Sequence, residues 1–115
     1  MPKKEKMKTS LGLNENTEAL FAYLLTWLTG IIFYLLEKKS KFVKFHALQS
    51  TIAFLALQIV GMFFSLIPIF GIFLAGIVGL ITIIAWIVCM IKAYQGEWFK
   101  LPVAGELAEK KIKGK

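Results

Sequence analysis

Residues 47–91 form a run of 45 positions without one charged side chain. A water-soluble chain of 115 residues has too little interior to hide such a run. One bilayer crossing needs only about 20 residues, so the run is long enough for two. SLIPIFG lies near its middle, and Pro68 disfavours helical geometry at Ile67. The run therefore reads as two membrane helices, residues 47–67 and 69–91, joined by a very tight turn.

A third apolar stretch, ALFAYLLTWLTGIIFYLL, occupies residues 19–36. As one helix it reaches roughly 27 Å, just enough for a hydrocarbon core of about 30 Å. Asn14 or Asn16 can cap its start, Glu15 and Glu18 suit the positive end of the helix dipole, and Thr29–Gly30 loosens its second half. The basic start MPKKEKMK resembles the first part of a signal peptide, but no A-x-A cleavage site follows, so the stretch is read as a retained span. The expected architecture is an all-α integral membrane protein with three transmembrane helices, the second and third a tight hairpin. Residues 1–18 form a polar basic tail, residues 19–91 the membrane domain, and residues 92–115 a cytoplasmic interfacial segment. There EWFKLP suits the headgroup region, and VAGELAEKKIK suits a short surface helix with Glu106–Lys110 and Glu109–Lys113 pairs.

Hydrophobic residues make up 57% of the chain and charged ones 18%, against roughly 25% charged in an ordinary soluble domain. The formal charge of +7 comes from lysines, with no arginine, and these lie beside the apolar spans. That placement favours an anionic membrane surface over nucleic acid as partner. With three crossings, the first loop and the C-terminal part carry ten lysines and the opposite side four. The positive-inside bias then puts the N-terminus outside and the C-terminus in the cytoplasm of a cell-membrane protein. A re-entrant first span leaves both ends inside instead.

Four lysines, Lys38, Lys39, Lys41 and Lys44, precede the second span directly. They are expected to form a cytoplasmic collar for anionic lipid headgroups, with Phe42, Val43 and Phe45 dipping into the interface. His46 and Gln49 share a helix face with Phe42 and Phe45 and read as an interfacial polar patch, bonded to nearby backbone or water. Gln58, deep in the second span, needs a partner and falls roughly level with Tyr23 and Thr26. Thr82 can bond the carbonyl four residues back. Gly71, Ala75 and Gly79 repeat at four-residue spacing, which lets helices approach closely, within one chain or between copies. Trp27 and Trp86 read as packing residues, and Cys89 as a small apolar one without disulfide or metal partner.

No phosphate-binding glycine loop, catalytic triad or metal-ligand spacing is present, so neither enzyme, metal nor cofactor is expected. Two functional classes stand against each other: a structural or interaction component of the cytoplasmic membrane, as a homo-oligomer or in a larger complex, and a self-assembling pore or small transporter lined by Gln58 and Thr82. LFAYLLTWLTGIIFYLLEKKSKFVKFHALQS and AYQGEWFKLPVAGELA resemble a family of small uncharacterised prokaryotic multi-pass membrane proteins. That family is distantly similar to the Tic membrane component of chloroplast protein import. The resemblance implies a compact helical membrane domain and a role near polypeptide translocation.

Overall fold

The computed structural model describes residue 12 and residues 14–112, and five helices account for most of them: α1 (Glu15–Leu24), α2 (Trp27–Leu36), α3 (Lys41–Ser65), α4 (Phe70–Tyr94) and α5 (Ala104–Ile112). Two of them, α3 and α4, are long and apolar enough to cross a membrane. Each has 25 residues and a length of about 37 Å at the α-helical rise. They turn at residues 66–69, around Pro68, as the uncharged run predicts; α3, however, starts at Lys41, inside the lysine cluster. Ser40 caps that start, its Oγ accepting from the Val43 amide at 3.1 Å.

The stretch 19–36 departs from expectation. Residues 15–36 form two ten-residue helices that fold back on each other at Leu25 and Thr26. Both ends of this segment lie at the same end of the α3–α4 hairpin. At the start of α1, Asn16 Nδ2 donates to the Tyr94 carbonyl at 2.8 Å, and Glu15 Oε2 accepts from Ser40 Oγ at 2.5 Å. Past the end of α2, Glu37 Oε2 accepts from the amides of Lys39 and Ser40 at 2.9 and 2.8 Å. The tip reaches Gln58, whose Oε1 accepts from Trp27 Nε1 at 2.8 Å. A hairpin of two short helices replaces one continuous helix.

Side-chain hydroxyls make that break tolerable in an apolar medium, where orphan backbone groups have no water to bond. Thr29 Oγ1 accepts from the Leu25 amide at 3.0 Å and donates to the Ala22 carbonyl at 3.1 Å, bridging the gap between helices. Ser50 Oγ on α3 donates to the Thr26 carbonyl at 2.7 Å. Thr26 adopts φ +57°, and β-branched residues at positive φ also mark the turn into α4 (Ile69, +65°) and the turn into α5 (Val103, +64°). These three reversals are therefore tight ones.

The C-terminal segment also dips and returns. Extended backbone descends α3 from His46 to Gln49, turns at Pro102 and Val103 beside Ile52 and Ala56, and climbs again as α5. Ala104, Gly105 and Ala108 of α5 are buried, whereas Val103 and Leu107 are exposed. In place of the Glu106–Lys110 ion pair, Glu109 bonds Lys100 at 2.8 Å; Lys113 lies outside the described residues.

The core gathers at one end. The buried residues of α3 run from Phe42 to Phe54 and none lies beyond. They pack with Ala19, Ala22 and Tyr23 of α1 and with Cys89 and Ala93 of α4. The other half of the hairpin is bare apolar surface, including Met62, Phe63, Ile72, Phe73 and Ile77. The molecule is accordingly long and narrow, 52 × 27 × 20 Å.

Gly30 is a close-contact glycine between α2 and α3: a Cβ there would lie 2.7 Å from the Ala47 carbonyl oxygen and from Thr51 Oγ1. Gly71 is also tight, since its Cβ would collide with the Phe64 carbonyl at the α3–α4 turn, but a Cβ on Gly79 meets nothing within 4 Å. Gly30→Ala should therefore destabilise the folded protein by about 1–3 kcal/mol, by forcing α2 off α3. Gly79→Ala should change stability by less than about 0.5 kcal/mol. Thermal unfolding in detergent measures both, and the reverse order of effects would contradict this packing.

Candidate functional site: a sealed polar cluster under a basic rim

One hydroxyl ties three elements together. Tyr23 of α1 is fully buried between α3 and α4, and its oxygen lies 2.7 Å from His46 Nδ1 and 2.7 Å from Gln49 Nε2. His46 Nε2 lies 2.8 Å from the Glu97 carbonyl oxygen. A carbonyl only accepts, so Nε2 carries the hydrogen and Nδ1 accepts from the Tyr23 hydroxyl. The Tyr23 oxygen in turn accepts from Gln49. The second Gln49 N–H donates to the Phe99 carbonyl at 3.0 Å, and Gln49 Oε1 accepts from the Leu101 amide at 2.8 Å. Every side-chain donor and acceptor of the Gln49 amide is used. The descending segment 97–101 thus finds its missing backbone partners on α3. Gly105 closes the site from α5, where a Cβ would stand 2.6 Å from Gln49 Oε1.

His46 and Gln49 do share the expected face with Phe42 and Phe45, but that face points into the protein. Phe42 is 5% exposed, Val43 and Phe45 not at all, so they do not dip into an interface. The rings of Tyr23, Phe42 and Phe45 meet the imidazole edge-on at 5.4, 4.7 and 5.0 Å. Trp98 lies over Phe42 and Phe45 at 5.5 and 5.0 Å and roofs the cluster. The arrangement holds segments in place. Nothing in it orients a nucleophile toward an open cavity, and among the described residues no three His, Cys, Asp or Glu side chains converge.

Above the cluster lies the lysine rim. Lys38, Lys39 and Lys41 are exposed. Lys44 differs: its ammonium donates to the Tyr34 and Glu37 carbonyls at 3.1 and 3.2 Å and sits 4.4 Å over the Tyr34 ring. It caps the end of α2 and does not stand free in a collar. A cleft of about 450 Å³ opens at this rim between Glu15, Asn16, Lys39, Lys41, Phe42 and Trp98. On the descending segment the exposed Lys100 ammonium is held above its ordinary pKa range by its hydrogen bond to Glu109.

The intramembrane residues expected to matter lie lower. Gln58 has its partner in Trp27, next to the predicted level, and Thr82 Oγ1 donates to the Val78 carbonyl at 2.8 Å as expected. Both line a groove of about 540 Å³ between the lower halves of α3 and α4, together with Gly61, Ala75 and Gly79. Ala75 and Gly79 thus face open space instead of a helix. Trp86 packs as expected and also donates to the Tyr23 carbonyl at 2.8 Å. Sequence reasoning missed Tyr23, Glu37 and Thr29 as organising groups. The available signal was polar atoms inside or beside an apolar stretch, each needing a partner.

Tyr23→Phe leaves His46 Nδ1 and one Gln49 N–H buried without partners, so it should cost about 1–3 kcal/mol of stability. Gln49→Leu should additionally release the Leu101 amide, and its hydrogen exchange should accelerate while that of mid-α4 amides does not. Exchange at Leu101 matching the unmodified protein would contradict the cluster's role as the clamp on the C-terminal segment.

The chain is 57% identical to a UPF0132 membrane protein of Methanocaldococcus jannaschii over 89% of this chain and 92% of the relative. A UPF0132 membrane protein of Archaeoglobus fulgidus is 51% identical over 89% of this chain and 99% of its own length. A second Methanocaldococcus jannaschii relative of the same name is 48% identical over 88% of this chain and 72% of that protein. No solved structure matches. The model of the MamF_MmsF family, described as the magnetosome magnetite crystal formation protein family, matches residues 13–108, and with nearly the whole folded chain covered, this protein belongs to that family.

Proposed function

We propose that the chain is a structural or interaction component of the cytoplasmic membrane that crosses the bilayer twice, through α3 and α4. In this reading α1–α2 is a half-depth hairpin, and both chain ends lie in the cytoplasm. The observation that carries it is the bond from Asn16 to the Tyr94 carbonyl, which joins the start of α1 to the end of α4. A crossing first span would separate those residues by a bilayer. Charge supports the same topology. Lys38, Lys39, Lys41, Lys44, Lys92, Lys100, Lys110 and Lys111 all belong to segments at that end, and residues 66–69 at the other are uncharged. The positive-inside bias then acts without opposition, because the N-terminal lysines no longer fall on the outside.

The sealed cluster supports a holding role over a catalytic one. Lys38, Lys39 and Lys41 are the residues for anionic headgroups, each contributing about 1 kcal/mol near such a surface. The family description names magnetite crystal formation; in this chain fourteen lysines stand against seven acidic residues, which favours work at the membrane over direct contact with a mineral. A pore would need further copies around the Gln58–Thr82 groove, since only two helices bound it in its lower part. A place beside a polypeptide translocase rests on the Tic likeness alone.

Single cysteines on a Cys89→Ala background test the topology. Cysteines at residues 12 and 110 should react with an impermeant reagent only from the cytoplasmic side, and one at Ile69 only from outside. Labelling of position 12 from outside would restore three crossings. Flux of ions through purified protein in liposomes should not exceed that of protein-free vesicles; clear flux would favour the pore.

A further inference from the structure

The chain occupies the two leaflets unequally. The uncharged part of α3 begins at Ala47 and ends at Ser65, and Phe54 and Gln58 straddle its middle. The tip of the α1–α2 hairpin stops at that level: Trp27 bonds Gln58, and the Tyr23 ring meets Phe54 edge-on at 6.2 Å. Exposed Leu24, Leu25, Leu28, Ile32, Leu35 and Leu36 give the hairpin a lipid-compatible outer face, so it belongs in hydrocarbon and not in water. Four helices therefore fill the half of the bilayer nearer the charged end, flanked by the dipping segment that turns at Pro102 and Val103. Only α3 and α4 fill the other half. With a helix diameter of about 10 Å including side chains, the cross-section in the near half is at least about twice that in the far half.

We propose that this protein is a molecular wedge, which concentrates in, and at high density favours, membrane whose cytoplasmic leaflet is convex. The inference rests on the two-crossing topology proposed above. A tapered body in a flat bilayer leaves lipid in the far leaflet to fill the missing area. Bending toward the charged end expands the near leaflet and relieves that mismatch. The three tight reversals at Thr26, Ile69 and Val103 keep the taper from being averaged away by rocking helices. The clamp of Tyr23, His46 and Gln49 fixes α1, α3 and segment 97–101 as one body. The ligand is thus the bilayer itself, selected by shape and, through Lys38, Lys39 and Lys41, by charge.

The test uses the whole chain, labelled with a fluorophore at residue 12 on the Cys89→Ala background. It is reconstituted into vesicles of mixed anionic and neutral phospholipid that span a range of diameters. Protein-to-lipid fluorescence is read vesicle by vesicle, and an impermeant quencher separates the two orientations. Molecules with the charged end outward should be enriched severalfold on the smallest vesicles, and molecules with it inward should be depleted there. A Gly76→Phe/Gly79→Trp variant bulks the far half at positions where a Cβ meets nothing within 4 Å, leaves the packed half untouched, and should lose much of the enrichment. Equal density across sizes in both orientations, with sidedness labelling still placing residues 12 and 110 on one side, would overturn the wedge alone. Residues 12 and 110 on opposite sides would overturn the topology and the wedge with it. Enrichment of the same sign in both orientations would attribute sorting to lipid packing defects and also reject the wedge.

Discussion

A backbone that leaves its helix inside an apolar fold must find its hydrogen-bond partners within the protein, and this fold is governed by how two such departures are satisfied. The first is the tip of the α1–α2 hairpin, where the Thr29 and Ser50 hydroxyls take up groups the helix break leaves over. The second is the extended descent of residues 97–101, whose carbonyls and amide are met by His46 and Gln49. Tyr23 joins the two, because it sits on the hairpin and bonds both residues that receive the descending segment. Without these partners both departures would leave buried backbone groups unsatisfied.

From this follows the uneven distribution of packing. Polar side chains that bond across helices also demand close approach, so the core collects around them between Phe42 and Phe54 and around Cys89 and Ala93. Among the described residues of the lower halves of α3 and α4 Gln58 alone bonds across to another helix, and the rest remains a simple hairpin with an apolar surface. Gly30 lets α2 come against Ala47 and Thr51, completing the wide end. A body clamped at one end and bare at the other carries its described lysines at the wide end, and the proposed membrane role rests on that asymmetry.

The long features of this architecture were legible. A 45-residue uncharged run with Pro68 near its centre determines a two-helix hairpin on length alone, and the tight turn and the pairing of Gln58 follow from the cost of unsatisfied groups. The fold-back at Leu25 and Thr26 was not legible from hydropathy, because no proline, glycine or charge interrupts the apolar pattern there. Its chemical signature, Thr26 and Thr29 together, is the same that any threonine in a straight membrane helix would give. The lysine count turns on the same point: the side assigned to the tail depends on whether that stretch crosses. Phe42, Val43 and Phe45 looked interfacial because they sit among lysines, yet the helix period turns them inward while Lys38, Lys39 and Lys41 face out. Gly71, Ala75 and Gly79 have the spacing of a packing motif, but only the glycine nearest the turn is pressed against a neighbour.

The claim on which the rest stands is that both ends of the stretch 19–36 lie at one end of the molecule. A pair of spin labels at Gly12 and Lys38, on the Cys89→Ala background in liposomes, reports this as a single distance. The account predicts one short population, since Glu15 and Ser40 are bonded directly. A dominant population at or beyond about 27 Å, the length of those 18 residues as one continuous helix, would contradict it.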